Sequence, residues 1–261
     1  LILQIIIPLL LIFLSFNSYI SEKTSGRLKL LIIQGVSVRK IIFSKVLSIW
    51  LIGLVLLVLT IALQIFLNSI PLDTDSFFRL IILIIGYACY FYIIVSLTVF
   101  MSFIIKENTW VLSLTILMWT CWTIIIPSII NNVSENIIQL PTRIEFNESL
   151  SKDRSKGIDG HNPKDSRKEA LIKSTLKKYN VNKLEDLPVN FSGILMQEDE
   201  EYGNKVWDIH FGSLSNKLMR QKFIYQISGV VNPFISLQNL SMGSSGTDIY
   251  HHLNFLDQVE K

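Results

Sequence analysis

The chain has 261 residues, half of them hydrophobic and 17% charged, with a mean hydropathy of +0.44. That balance excludes an ordinary soluble domain and points to a membrane protein. The net charge of +3 gives no reason to expect nucleic acid. It also hides two unlike halves: residues 1–130 carry 8 of the 24 basic and 4 of the 21 acidic residues, and residues 131–261 carry the rest. The two cysteines, Cys89 and Cys121, fall inside apolar runs, so packing rather than a disulfide framework is their role.

The first half predicts four membrane spans, at about 1–20, 46–67, 80–105 and 110–130, each long enough to cross the hydrocarbon layer. Leu1 lies inside an apolar run with no initiator Met, so the chain reads as a fragment. Leu1 to Phe16 lacks the basic leader and cleavage site of a signal peptide. Pro8 kinks the first span, which membrane helices tolerate. The loop 21–45 sets Lys23, Arg27, Lys29, Arg39, Lys40 and Lys45 against the single acid Glu22, which marks the cytoplasmic side. Within it Thr24 or Ser25 is a candidate N-cap, and Leu28, Leu31 and Ile32 share a helical face. Gln34-Gly35 reads as a left-handed stop, and Ser37 caps a helix running through Ile41, Ile42 and Phe43 into the second span. The expected unit is a short amphipathic helix at the inner surface, a Gly break, and a helix turning into the bilayer.

The stretch from Asn68 through Pro71 to Asp75 has no basic residue before Arg79 and reads as an outer turn. In the third span the cluster Tyr87, Tyr90, Phe91 and Tyr92 reads as helix packing. Lys106-Glu107-Asn108 is a tight inner turn. The fourth span carries Trp110, Trp119 and Trp122, with Pro127 near its outer end.

Four spans starting outside to inside return residues 131–261 to the outside, as a mostly helical extracytoplasmic domain. Arg143–Phe146 reads as a short strand and 147–162 as a polar loop. Pro163–Asn180 reads as a helix with Ala170, Leu171 and Leu176 on one side, and 190–227 as a long helical pattern that Gly203 and Gly212 weaken. Asn232-Pro233 restarts a helix, with Asn as cap and Pro at its first position. Gly243 to Gly246 breaks it, and Thr247 caps a last helix running to the chain end. The sequons at Asn132 and Asn147 matter only in a eukaryotic secretory route, and the Ile-, Lys- and Asn-rich composition looks bacterial.

Two stretches carry a resemblance. Glu22, Ser25, Gly26, Leu28, Leu30 and Leu31, then Gln34, Gly35, Val36, Ser37, Arg39 and Lys45, resemble the cytoplasmic loop of ABC-2 type transporter permeases. In the tail, Val231-Asn232-Pro233-Phe234, Asn239-Leu240-Ser241-Met242, Gly246-Thr247-Asp248, His251-His252-Leu253 and Phe255 resemble the outer segment of one branch of that family. Phe191-Ser192-Gly193 after Asp186-Leu187-Pro188-Val189 is similar to it too. That branch has large extracytoplasmic loops and a domain of unknown function. The resemblance implies an all-α polytopic bundle and a permease subunit of an exporter in a bacterial inner membrane. It implies a loop that couples to a separate ATP-hydrolysing dimer, and a second permease chain as partner. It also implies a first span and outer domain before residue 1 and a final span after the tail. No cofactor of its own is expected, since ATP belongs to the partner.

The residues alone agree on the energy source. No span carries an ionisable residue well inside it, as proton- or ion-coupled carriers need. There is also no G-x-x-x-x-G-K-(S/T) loop for ATP. Two rival readings remain at this point. One is a receptor or mechanotransmitter whose outer domain senses and whose spans relay. The other is a membrane metalloenzyme using Asp248, His251 and His252, which share a helix face but have no distant fourth ligand. Capping by Asp248 and packing by the histidines is the blander reading of that trio. A Ser-His-Asp hydrolase is weaker, because no G-x-S-x-G is present.

Overall fold

The computed structural model describes residues 2–68, 73–158 and 160–259. Among them there are helices and no strand, so the chain is an all-α polytopic helix bundle. A π-helical turn, Ile2–Ile6, leads into α1 (Ile7–Ser15). Pro8 has no N–H to give the carbonyl four residues back, and it lies at that seam. Two short helices follow, α2 (Ile20–Thr24) and α3 (Arg27–Ile33), then the long α4 (Val38–Asn68) and α5 (Thr74–Ile104). α6 (Asn108–Thr120) continues through a second π-helical turn, Cys121–Ile125, into α7 (Ile126–Ile137). Four helical segments are long and apolar enough to cross a membrane: Ile2–Thr24, Val38–Leu67, Thr74–Ile104 and Asn108–Ile137. They overrun the apolar runs of the sequence. Asp73, for example, caps α5 by accepting the Ser76 N–H, seven residues before the purely apolar stretch begins at Leu80. Of the predicted outer turn, 68–75, residues 69–72 lie outside the described residues, Asn68 ends α4, and Asp73 to Asp75 form the cap and first turn of α5.

Beyond α7 the chain forms α8 (Arg143–Lys156), α9 (Lys164–Tyr179), a 3-10 turn (Leu184–Asp186) and the 38-residue α10 (Phe191–Ser228). α11 (Pro233–Ser244) and α12 (Ile249–Val259) follow. Packing divides the chain into two compact units, residues 1–134 with 222–261, and residues 135–221. The boundary drawn from composition, near residue 130, concerns sides of a membrane; these units concern which helices touch.

In the first unit α5 is the hub, packed by α1, α4, α6 and α11. Its buried residues are Tyr87, Tyr90, Phe91, Ile94, Val95, Thr98, Val99 and Ser102, spaced alternately by three and by one. This is one continuous helix face. The aromatic cluster packs as expected, except Tyr92, which faces outward and meets Trp50 edge-on. The Trp50 indole N–H donates to the Ala88 carbonyl at 2.8 Å. Lipid is as apolar as these side chains, so close van der Waals fit, not exclusion of water, holds such a bundle together. Glycine makes that fit possible. A Cβ at Gly86 would stand 3.0 Å from Leu240 of α11.

The second unit contains a correction. Arg143–Phe146 is not a strand and 147–156 not a loop: both lie in α8. The signal was Thr142-x-x-Glu145. The Thr142 hydroxyl accepts the Glu145 N–H, and the Glu145 carboxylate accepts the Thr142 N–H at 2.8 Å. This capping box satisfies two helix-end donors at once, and Arg154 and Lys156 in the last turn suit the negative end of the helix. Phe146 packs edge-on against Trp207 of α10. Charge holds the rest. The Arg167 guanidinium lies 3.5 Å over the Tyr202 ring and donates to the carbonyls of Asn162 and Arg154. Arg154 and Lys164 both reach the Asp199 carboxylate. The helix through 190–227 forms despite Gly203 and Gly212.

Candidate functional site

The loop 21–45 is a staple of two short helices under the bundle. Neither Thr24 nor Ser25 caps α3. Both hydroxyls donate backward, to Ile20 and Ser21 and to Glu22, and so close α2 instead. The N-cap of α3 is Gly26 at φ +77°, where a side chain has no place. Gly35, at φ +86°, ends α3: its N–H reaches the Ile32 carbonyl and the Val36 N–H the Leu31 carbonyl, a Schellman closure. Gln34 is the C-cap residue. The Ser37 carbonyl then accepts the N–H groups of Lys40 and Ile41 as α4 begins.

α3 has two apolar faces. Leu28 is buried with Tyr19 and Ile41, and Leu31 and Val36 pack against them. Leu30 and Ile33 point the other way, 61% and 81% exposed. Ile32, read as part of the inner face, is half exposed. Glu22 and Lys45 form a salt bridge that ties α2 to α4, with Glu22 the more buried partner. Glu22 is therefore engaged within the chain, while Arg39 is exposed at the start of α4.

The part of the tail motif around Ser244 sits at the other end of α5. Tyr19, just before α2, meets Phe103 near the Ile104 end. Ser244 accepts a hydrogen bond from Arg79 near the Thr74 end. A 31-residue helix separates the two sets by up to about 46 Å. The structure thus does not gather loop and tail residues into one site.

From Ser244 α11 runs back along α5 to Gly86 and ends deep in the bundle at Asn232 and Pro233. Asn232 is 1% exposed and its side chain makes three hydrogen bonds. Its Oδ1 accepts from the N–H groups of Phe234 and Ile235, capping α11 with Pro233 at the first position. Its Nδ2 donates to the Trp122 carbonyl at 2.9 Å. That carbonyl is available for a reason. In the π turn the Ile126 N–H bonds Cys121, five residues back. The next residue, Pro127, has no N–H to give Trp122. A buried carbonyl left over by the π turn and the proline is satisfied from another helix.

At the far end of α11 Gly246, at φ +68°, closes the helix as Gly35 closes α3, with the Thr247 N–H on the Met242 carbonyl and the Gly246 N–H on the Gly243 carbonyl. Ser241 accepts from the Ser245 N–H and hydroxyl. The expected Thr247 cap is displaced by one residue. Asp248 caps α12, accepting the His251 N–H at 3.1 Å and contacting the His251 ring. Burial works to raise the Asp248 pKa, and the His251 hydrogen bonds outweigh it, so the carboxyl titrates below its ordinary range. His252 and Phe255 are exposed. Among the described residues no three His, Cys, Asp or Glu side chains are grouped to hold a metal.

One constellation escaped the sequence. Ser149 and Asp153 of α8 bracket His210 of α10: Nδ1 lies 3.3 Å from the Ser149 hydroxyl and Nε2 2.8 Å from the Asp153 carboxylate. It resembles a catalytic triad in composition only. The Ser149 hydroxyl also donates to Phe146 at 2.8 Å, and it lies inside a helix whose backbone N–H groups are used along its axis. These contacts hold α8 on α10.

An all-α bundle with four membrane-crossing helices and a short surface helix between the first two defines a multi-pass membrane protein. Residues 2–174 match the family described as ABC-2 family transporter protein, and residues 143–261 the family described as Domain of unknown function (DUF3526). The chain belongs to the ABC-2 transporter family. No curated protein and no solved structure matches it.

Proposed function

We propose that this chain is the membrane-spanning subunit of an exporter, moving substrate only when a separate ATPase dimer pushes on α2 and α3. The observation that carries this is the outward face of α3. Leu30 and Ile33 are exposed apolar residues on a helix whose other face, Leu28 and Leu31, already anchors it to the bundle. An anchored helix with a second apolar face beside Lys29 and Arg27 suits docking into a groove on a partner, with the basic residues at the rim. ATP binds in that partner, and this chain contributes no catalytic group. Two permease chains complete the pathway. The assembly resides in a bacterial inner membrane, with the loop 21–45 inside and the polar unit, residues 135–221, outside.

The test is copurification. Ile33→Glu should lose the ATPase and substrate flux in proteoliposomes while the chain still inserts. Retention of the partner with normal flux would refute docking through α3. Single cysteines at Ser37 and Thr74 should label from opposite sides of the membrane, and same-side labelling would refute the topology.

A further inference from the structure

A cavity of about 470 Å³ opens in the first unit between α5, the π turn and the start of α11. Its walls are Gly86, Cys89, Tyr90 and Ile93 on one side and the turn Gly229–Val231 with Leu237 and Leu240 on the other, with Trp122 beside them. Two helices report its depth independently. Cys89 is the middle residue of Thr74–Ile104, and Trp122 stands at the middle of Asn108–Ile137. The cavity therefore lies near the centre of the membrane-crossing segments.

The chemistry of the wall selects the occupant. Val230 and Val231 are 89% and 83% exposed, and Cys89 and Ile93 are exposed on the facing wall. Such a turn usually leaves backbone donors for water, but this one does not. The N–H groups of Gly229, Val230, Val231 and Asn232 all return to carbonyls at the end of α10. The Gly229 carbonyl accepts the Ser236 hydroxyl at 2.6 Å. Non-helical backbone at membrane depth is tolerated where it is packed in protein or lines a cavity, as this turn does. A polar ligand would find no free backbone N–H here, whereas an alkyl chain meets apolar side chains on both walls. The volume falls in the range of about 300–1,000 Å³ typical of small-molecule sites.

We propose that this cavity holds the acyl chain of a bilayer phospholipid, inserted from the side at mid-membrane depth between α5 and the α10–α11 turn. This rests on the membrane-crossing helices and not on coupling to an ATPase. The turn presents valines to lipid, and Asn232 on Trp122 fixes how far it stands from the fourth span.

The experiment uses the full chain in vesicles of phosphatidylethanolamine and phosphatidylglycerol. The vesicles are doped with a phosphatidylcholine carrying a diazirine at the end of one palmitoyl chain, so that the probe reacts at mid-membrane. Adducts should concentrate on the peptides holding Cys89 and Ile93 and those holding Val230 and Val231. They should exceed those on Leu51 and Val55, which are exposed near the middle of α4. Cys89→Trp and Val231→Trp fill the cavity from opposite walls, and each should remove the enrichment while the α4 adducts persist. Equal labelling of α4 and the cavity in the unaltered chain would overturn the proposal, as bulk lipid alone explains it. A Cys89–Cys89 cross-link between two copies, in a Cys121→Ser background, would also overturn it by showing the opening covered by protein. The distribution in the unaltered chain decides the matter even if both Trp variants misfold.

Discussion

The two units are built of the same element and held by different forces. In residues 1–134 with 222–261, α5 offers a face of Tyr, Phe, Ile and Val, and polar contacts serve mainly to satisfy backbone: Asn232 on Trp122, Trp50 on Ala88, Thr98 on Ile94. In residues 135–221, Val206 is the one apolar side chain fully buried among those described, and Arg154, Lys164, Arg167 and Asp199 lie between the helices. The difference follows from solvent. In a bilayer a lost backbone partner cannot be replaced by water, so hydrogen bonds are costly to break there and charges are rare. In water an ion pair is cheap to break and is screened by salt. The first unit should therefore respond to lost hydrogen bonds and the second to salt and pH.

The largest expected effect is at Asn232. Asn232→Leu keeps the volume but leaves the Trp122 carbonyl and two N–H groups of α11 unpaired, which should cost about 2–4 kcal/mol. It should lower the unfolding midpoint of the detergent-solubilised chain at any salt concentration. An unchanged midpoint would mean water reaches the Trp122 carbonyl, and the contrast between the units would fail there.

Gly35 comes next. A Cβ there meets no atom within 4 Å, so its cost is conformational alone. Gly35→Val forces a β-branched residue to φ +86° and should cost about 1–2 kcal/mol. Because the strain sits in the staple, ATPase stimulation should fall while membrane insertion is kept. Stimulation at the normal level would show that α3 need not be held at this angle.

What the sequence conveyed divides along the same line. The spans are legible because a bilayer demands long apolar runs, and Gly35 and Asn232-Pro233 because helix ends need particular residues. The π turn at Cys121–Ile125 is not legible: its residues are ordinary, and only Pro127 hints that a carbonyl goes unclaimed. Glu22 with Lys45 and Ser149 with His210 depend on contacts 23 and 61 residues apart, which no local pattern encodes. α8 was legible and missed, because its polar composition resembles a loop unless Thr142 and Glu145 are read together. Thr247 and Asp248 are both residue types that cap well, and only the His251 N–H on the Asp248 carboxylate shows which of them starts α12.

In the second unit Arg167 should matter most. Arg167→Lys keeps the charge but loses the flat fork that stacks on Tyr202 and reaches two carbonyls. Its loss should cost about 1 kcal/mol and speed amide hydrogen exchange in α8 and the first half of α10. An effect as large as that of Asn232→Leu would erase the distinction between the units.

The smallest effect is also the most diagnostic, because it should appear in one unit only. Hydrogen bonding from Lys164 first, then the charges of Lys164, Arg154 and Arg167, hold the Asp199 carboxyl below its usual range despite some burial. A carboxylate whose folded pKa is depressed stabilises the folded state above the unfolded value of about 3.9. That stability is lost as pH falls from there through the folded value. The ion pairs are partly exposed, so the contribution is about 0.2–1 kcal/mol, reduced by salt. Lys164→Gln should therefore flatten the acid dependence of exchange protection in α9 and in α10 near Asp199, and raised salt should mimic it at neutral pH. Protection around Asn232 and Trp122 should not change under either treatment. If salt loosens both regions equally, then charge and not the satisfaction of backbone groups holds the membrane unit as well, and the cost assigned to Asn232 would have to be sought elsewhere.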